Sequence, residues 1–214
     1  MFVSFSGLDG CGKSTQLDRL EEALVAEGRR PVRLWSRGGY TEGILWAKRV
    51  ARRLAGAKLP PSGKSEARTR ALGNPRIARL WLGVAILDLI RVYGVQVRLW
   101  RIMGRPVLCD RYALDTWVDF KMDFPHVEFD RTPLWRVLRV IAPEPKRSFF
   151  FLLDPEEAQR RALQKGDPWP EDFDRRVTRS VLYEGLLEEG NFNTLDAREA
   201  PGTIHERIIQ SLSS

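Results

Sequence analysis

The 214 residues carry 35 lysines and arginines against 28 acids, with 43% hydrophobic and 29% charged residues. That composition fits a globular chain and argues against a disordered one; with only Cys11 and Cys109 present, a disulfide scaffold is excluded and a reducing cytosol is the expected setting. No run of 18 uninterrupted apolar residues occurs and Met1 leads directly into an apolar segment, so neither a membrane span nor a leader peptide is expected.

The chain begins with a short strand pattern, Phe2 to Phe5. Residues Gly7-Leu8-Asp9-Gly10-Cys11-Gly12-Lys13-Ser14-Thr15 follow, and a helical pattern runs from Lys13 to Glu27, ended by Gly28. This is G-x-x-x-x-G-K-[ST] placed between a strand and a helix. Its glycines let backbone N–H groups close around phosphate oxygens, and the helix adds its free N–H groups and positive dipole end. Lys13 can reach β- and γ-phosphates, and the Ser14 hydroxyl can ligate Mg²⁺. The loop is read as the site of a nucleoside triphosphate.

Pro31 to Trp35 is the second predicted strand. Tyr40 to Ala55 reads as a helix, and 56–73, rich in glycine, proline and charge, as a mobile loop. Pro75 to Met103 is one long helical pattern, apolar around so much of its circumference that it belongs in the core or at a subunit interface. Pro106 to Cys109 is the third strand. Helices are expected at Ala113 to Met122 and Thr132 to Ile141, then a buried strand at Ser148 to Leu153 and a helix starting at Pro155. Glu171 to Glu188 is helical, Asn191 to Leu195 the last strand, and Thr203 to Leu212 the last helix.

Short apolar strands alternating with helices predict a parallel sheet covered on both faces, in one domain spanning 1–214. Ligands of such sheets sit beyond the carboxyl ends of the strands. Those ends carry the phosphate loop, Ser36-Arg37-Gly38-Gly39, Asp110-Arg111-Tyr112, Asp154 and Asp196. A dinucleotide-binding dehydrogenase is disfavoured, because the loop is not G-x-G-x-x-G and no acid ends the second strand. No Asn-Lys-x-Asp tetrad supports a GTPase. A motor ATPase would normally be larger. The net charge of +7 is assigned mainly to phosphate handling and a solvated surface, so no nucleic-acid partner is expected.

Small-molecule kinases remain, and here the chain resembles the thymidylate kinase family along most of its length. Phe5 to Gln16 resembles that family's phosphate loop, including the Asp before the middle glycine. Val107-Leu108-Cys109-Asp110-Arg111-Tyr112 resembles its Asp-Arg-Tyr/Phe motif. Phe150 to Arg161 resembles its fourth strand and lid entry, and Arg179 to Tyr183 and Leu195 to Ala197 its C-terminal pattern. The resemblance implies an α/β fold of the P-loop nucleoside-monophosphate-kinase type: three layers, a five-stranded parallel sheet and a lid at about 160–178. It implies ATP held by Gly7, Asp9, Gly10, Cys11, Gly12, Lys13, Ser14 and Thr15, and Mg²⁺ held by Ser14 and Asp110. The acceptor would meet Asp9, Arg37, Arg91, Arg111 and Tyr112. Lys13, Asp9, Asp110, Arg111, Arg160 and Arg161 would carry catalysis, and the long helix would pair two subunits in a homodimer.

Departures fall on the acceptor side. Arg37-Gly38-Gly39-Tyr40 stands where the family has Arg-Glu-Pro-Gly. Residues 113–120 contain no glutamine, although the family uses one there to read thymine. Ile90 precedes Arg91 where the family has an Asp. The sequence therefore points to ATP-dependent phosphoryl transfer to a dTMP-like nucleoside monophosphate, with a non-nucleotide metabolite, a silent nucleotide-binding module or a nucleic-acid-associated ATPase as alternatives.

Overall fold

The computed structural model describes residues 1–36, 74–166 and 171–213. The helix expected at 40–55, the loop at 56–73, Arg37 and positions 167–170 of the expected lid lie outside the described residues.

Five strands build the sheet: β1 (Phe2–Gly7), β2 (Val32–Trp35), β3 (Val107–Asp110), β4 (Arg147–Leu152) and β5 (Asn193–Asp196). All neighbours are parallel, in the order β2-β3-β1-β4-β5. β2 and β3 each begin one residue after a proline, because Pro31 and Pro106 have no N–H to give to a ladder; the Pro106 carbonyl instead accepts from Val32 N at 2.7 Å. β1 is central and buried at every position. Its register sets Phe5 beside Asp110 on one side and Phe149 on the other. From β1 the order runs out through β3 to β2 on one side and through β4 to β5 on the other, and a parallel sheet opens its ligand crevice at such a reversal, here for the phosphate loop.

Helices cover both faces. On one face α1 (Lys13–Ala26) and the last helix, α8 (Pro201–Ser213), pack Leu17, Leu20, Leu24, Ile204 and Ile208 against Val3, Phe5 and Phe149. On the other lie α2 (Pro75–Leu89), α4 (Ala113–Asp123) and α5 (Pro133–Ile141), around an aromatic core of Phe120, Phe124, Phe129 and Trp135. Truncating one such buried ring to alanine costs about 3–5 kcal/mol. α6 (Pro155–Gln164) and α7 (Phe173–Glu189) close the site end, with Ala158 and Tyr183 packed on Leu8 and Phe150. The three layers and the five-stranded parallel sheet are those expected from the sequence.

The long helix differs in one respect. It is α-helical in α2, widens to a π-helix over Ile90–Val97, and returns to α-helix in α3 (Arg98–Ile102). Gly94 sits in the wide segment, where an added Cβ would lie 2.2 Å from Ile141 Cγ2 of α5, so the residue permits close helix contact. By length and mean hydropathy (1.6 over its most apolar window) Pro75–Ile102 would suffice to cross a membrane. Its inner face, however, is built into the core through Ala78, Leu82, Ala85, Ile86, Leu89, Val92, Tyr93 and Val97. Its outer face stays apolar and exposed at Leu80, Leu87, Leu99 and Ile102, the last 82% exposed.

Candidate active site

The loop between β1 and α1 is shaped by backbone. Gly10 has φ +94°, and a Cβ there would stand 2.4 Å from the Ala158 carbonyl oxygen of α6. Any side chain at this position would be strained and would push α6 off the loop. Lys13 folds back over the turn. Its ammonium donates to the Gly7 and Leu8 carbonyls at 2.9 and 2.7 Å and approaches Cys11 Sγ at 3.4 Å. The lysine is buried at the mouth of the loop, and half-buried Ser14 is in the first turn of α1.

Asp110 closes β3 next to this mouth, with its backbone carbonyl accepting from Ser36 N at 3.2 Å. Among the described residues its carboxylate has no partner. Ser14 and Asp110 thus offer one hydroxyl and one carboxylate, the sparse, hard-oxygen set that suits Mg²⁺, which keeps most of its waters and shares phosphate oxygens. No cluster of three or more His, Cys, Asp or Glu occurs among the described residues.

Arg111 follows Asp110 and is turned inward. It has φ +72°, a left-handed backbone rare for a non-glycine residue, fixed by Arg111 N donating to the Phe5 carbonyl at 2.9 Å. That turn drives the side chain inward, where it is 2% exposed. Its guanidinium pairs with Asp9 and donates to Asp115 Oδ1 at 3.3 Å and to the Tyr183 hydroxyl at 3.1 Å. Burial works against its charge, but Tyr183, Asp9 and Asp115 outweigh burial and raise its pKa. The structure thus has Arg111 holding Asp9 of the phosphate loop to Asp115 of α4.

Asp115 is the hub. It is fully buried and accepts from Ser6 Oγ at 2.7 Å, Tyr183 Oη at 2.6 Å and Tyr112 N at 3.0 Å, besides Arg111. Burial first, then the Asp115 charge, raise the Tyr183 pKa, so the phenol stays protonated and donates. One turn further along α4, Asp119 accepts from Arg179 Nη1 at 2.7 Å, and Arg179 also pairs with Glu171 at 3.0 Å. Arg176, also wholly buried, donates from Nη1 to the Asp9 carbonyl at 2.6 Å. An acidic stripe on α4 and a basic stripe on α7 therefore interlock directly behind the phosphate loop.

Four other expected site residues have protein partners of their own. The Tyr112 ring packs edge-on against Phe2 and beside Tyr93, and its hydroxyl donates to the Pro143 carbonyl at 2.9 Å. Its place in the chain, just after a strand, sends it to the far-side core. Arg160 and Arg161 both pair with Glu157 of their own helix, and Arg161 also donates to the Ala197 carbonyl. These guanidiniums, Arg160 first, hold the Glu157 carboxyl down to about 2. They stand on regular helix within the expected lid and are locally satisfied. Arg91 pairs with Asp88 at 2.9 Å, so an acid does accompany it, from one turn earlier rather than from position 90.

Sequence reasoning missed Ser6, Asp115, Asp119, Glu171, Arg176 and the Tyr93 centre, whose hydroxyl meets Ser36 and Thr116. A signal existed for part of this: Asp115 and Asp119 at i,i+4, and Arg176, Arg179 and Tyr183 at i, i+3, i+7, put polar groups on helix faces that point inward.

No family model matches the chain. Curated relatives match it nearly end to end. The thymidylate kinase of Nitratidesulfovibrio vulgaris is 28% identical over 229 residues, covering 100% of this chain and 96% of that protein. That of Bifidobacterium longum is 25% identical over 210 residues, covering 94% and 91%. That of Solidesulfovibrio magneticus is 28% identical over 224 residues, covering 97% and 96%. With the parallel five-stranded fold, the phosphate loop and this end-to-end similarity taken together, the chain is thymidylate kinase-like.

Proposed function

We propose that the chain is an ATP-dependent kinase that passes the γ-phosphoryl group to a nucleoside monophosphate of the dTMP class. The observation that carries this reading is the joining of Asp9, inside the phosphate loop, to Arg111 of the Asp-Arg-Tyr segment and to Arg176 of α7. A loop that served only to hold a nucleotide would not need its acid fixed from two distant elements. The relatives named thymidylate kinases support the same class of reaction.

Phosphoryl transfer needs little covalent chemistry from the protein; positioning and charge neutralisation suffice. Lys13 would exchange its loop carbonyls for β- and γ-phosphate oxygens. The Gly10 to Thr15 backbone would hold the triphosphate. Asp9, fixed by Arg111, would stand toward the acceptor and orient it. Mg²⁺, held by Ser14 and Asp110, would supply neutralisation of the charge shared between donor phosphates.

The acceptor would be read loosely. Residues 113–120 supply no glutamine, and Phe120 turns into the aromatic core with Phe124, Phe129 and Trp135. The exposed apolar face of the long helix supports a homodimer as part of the same reading. Light scattering at micromolar concentration should give twice 24.6 kDa, and a monomer would remove the dimer from the account.

The kinase itself is tested by mass spectrometry of products from Mg-ATP and a panel of nucleoside monophosphates and sugar phosphates. A nucleoside diphosphate is expected, and its absence with every acceptor would refute the reading.

A further inference from the structure

Arg176 is the inward cation whose chemistry the fold leaves unfinished. Its side chain is 0% exposed. Nη1 is engaged by the Asp9 carbonyl, yet Nε and Nη2 are buried without a hydrogen-bond partner. The carboxylates around it have other cations: Asp9 and Asp115 pair with Arg111, while Asp119 and Glu171 pair with Arg179. Among the described residues Arg176 makes no ion pair.

A desolvated guanidinium with idle donors is strongly unfavourable unless an acceptor completes it. The shape of the idle edge says which acceptor. Nε–H and Nη2–H lie side by side and point the same way, the fork that takes two oxygens of one carboxylate or phosphate at once. The third nitrogen is tied to residue 9 of the phosphate loop, so the fork stands beside the place where phosphates bind. We propose that the Nε/Nη2 edge of Arg176 is a phosphate-receiving fork that takes two oxygens of one phosphate group at the Asp9 side of the loop. The location rests on the kinase reading above. The group belongs either to the donor triphosphate or to the acceptor monophosphate. Arg176 would then touch the substrate, whereas Arg111 and Arg179 hold the frame around it.

Arg176→Met keeps the aliphatic bulk and removes the fork; Arg176→Lys keeps the charge and loses the bidentate edge. Calorimetry on wild type and both variants would use Mg-ADP and inorganic pyrophosphate as one arm and dTMP as the other. Removing an uncompensated buried charge should leave the ligand-free melting temperature of Arg176→Met equal to or above that of wild type. Affinity in one arm should fall at least ~10-fold in both variants, as loss of a charge-assisted bidentate contact implies, and that arm identifies the phosphate. In the unmodified protein the Arg176 Nε–H resonance, assigned by its loss in Arg176→Lys, should move when that ligand is added. Unchanged affinities in both arms with an unmoved resonance would mean that water fills the fork, and would overturn the proposal. So would a large fall in ligand-free stability with ligand affinity of the folded variant intact, since Arg176 would then only brace Asp9. The kinase reading can fail separately: wild type that binds Mg-ADP but phosphorylates no acceptor refutes that reading and leaves the calorimetric result standing.

Discussion

The phosphate loop and the charged layer behind it occupy neighbouring space and are built in opposite ways. The loop is a backbone device: nine consecutive residues, positive φ at Gly7, Gly10 and Gly12, and one lysine satisfied by local carbonyls. The layer behind it is a side-chain device. Ser6, Arg111, Asp115, Asp119, Glu171, Arg176, Arg179 and Tyr183 come from the end of β1, the turn after β3, and α4 and α7 with the segment before it, and they grip the loop at Asp9. The difference teaches where rigidity and adaptability reside. Backbone N–H groups accept any triphosphate with little reorganisation, whereas a buried charge network fixes one arrangement and is costly to break.

The comparison can be broken at either region. On the loop side, Lys13→Ala should lower turnover by ~10³-fold or more, about 4 kcal/mol of transition-state stabilisation, with the fold retained. Steady-state kinetics with a circular dichroism control checks this; a folded variant with near-normal turnover would detach the loop from the chemistry. Behind the loop the expected loss is of stability instead. Asp115→Ala leaves Arg111, Tyr183 and Ser6 buried without their shared acceptor, and should cost about 3 kcal/mol in urea denaturation. A cost below about 1 kcal/mol would show that water replaces the carboxylate and that the layer is looser than described.

The smallest expected effect lies on α8, outside both regions. Burial first, then Arg19, lower the His205 pKa below its ordinary 6.5. The folded chain therefore binds fewer protons there than the unfolded chain, so stability rises with pH across the window between the lowered value and 6.5 and is lost as pH falls through it. His205→Gln should flatten that slope in melting curves taken from pH 7 downward, while kinase activity stays as in wild type. An unchanged slope would assign the dependence to another group.

The same contrast governs how much was legible in the sequence. Strands, helices and the loop announce themselves within windows of about ten residues, because glycine placement and apolar periodicity are local. The strand-end positions of Asp110 and Arg111 follow from that, and so does their convergence on the phosphate loop. What local windows do not carry is direction. The φ of +72° that turns Arg111 inward and the packing of the Tyr112 ring beside Phe2 have no mark in the sequence. Arg160 and Arg161 both pair with Glu157, one turn earlier, a choice of partner that periodicity alone does not make. The π-helical widening around Tyr93 has no signature in a helix-period pattern. Arg176 and Asp115 were visible only as spacing on two helices 60 residues apart, whose facing is decided by packing.

The central claim joins the two regions: we propose that the loop and its buried frame transfer a phosphoryl group, to an acceptor whose base meets no glutamine from residues 113–120. Catalytic efficiency on dTMP and dUMP, measured side by side with Mg-ATP, tests both halves at once. The account predicts turnover of both, with dTMP favoured by no more than ~10–200-fold, the range that apolar contacts supply for one methyl group. No turnover of either nucleotide, or a preference for dTMP of several orders of magnitude, would contradict it.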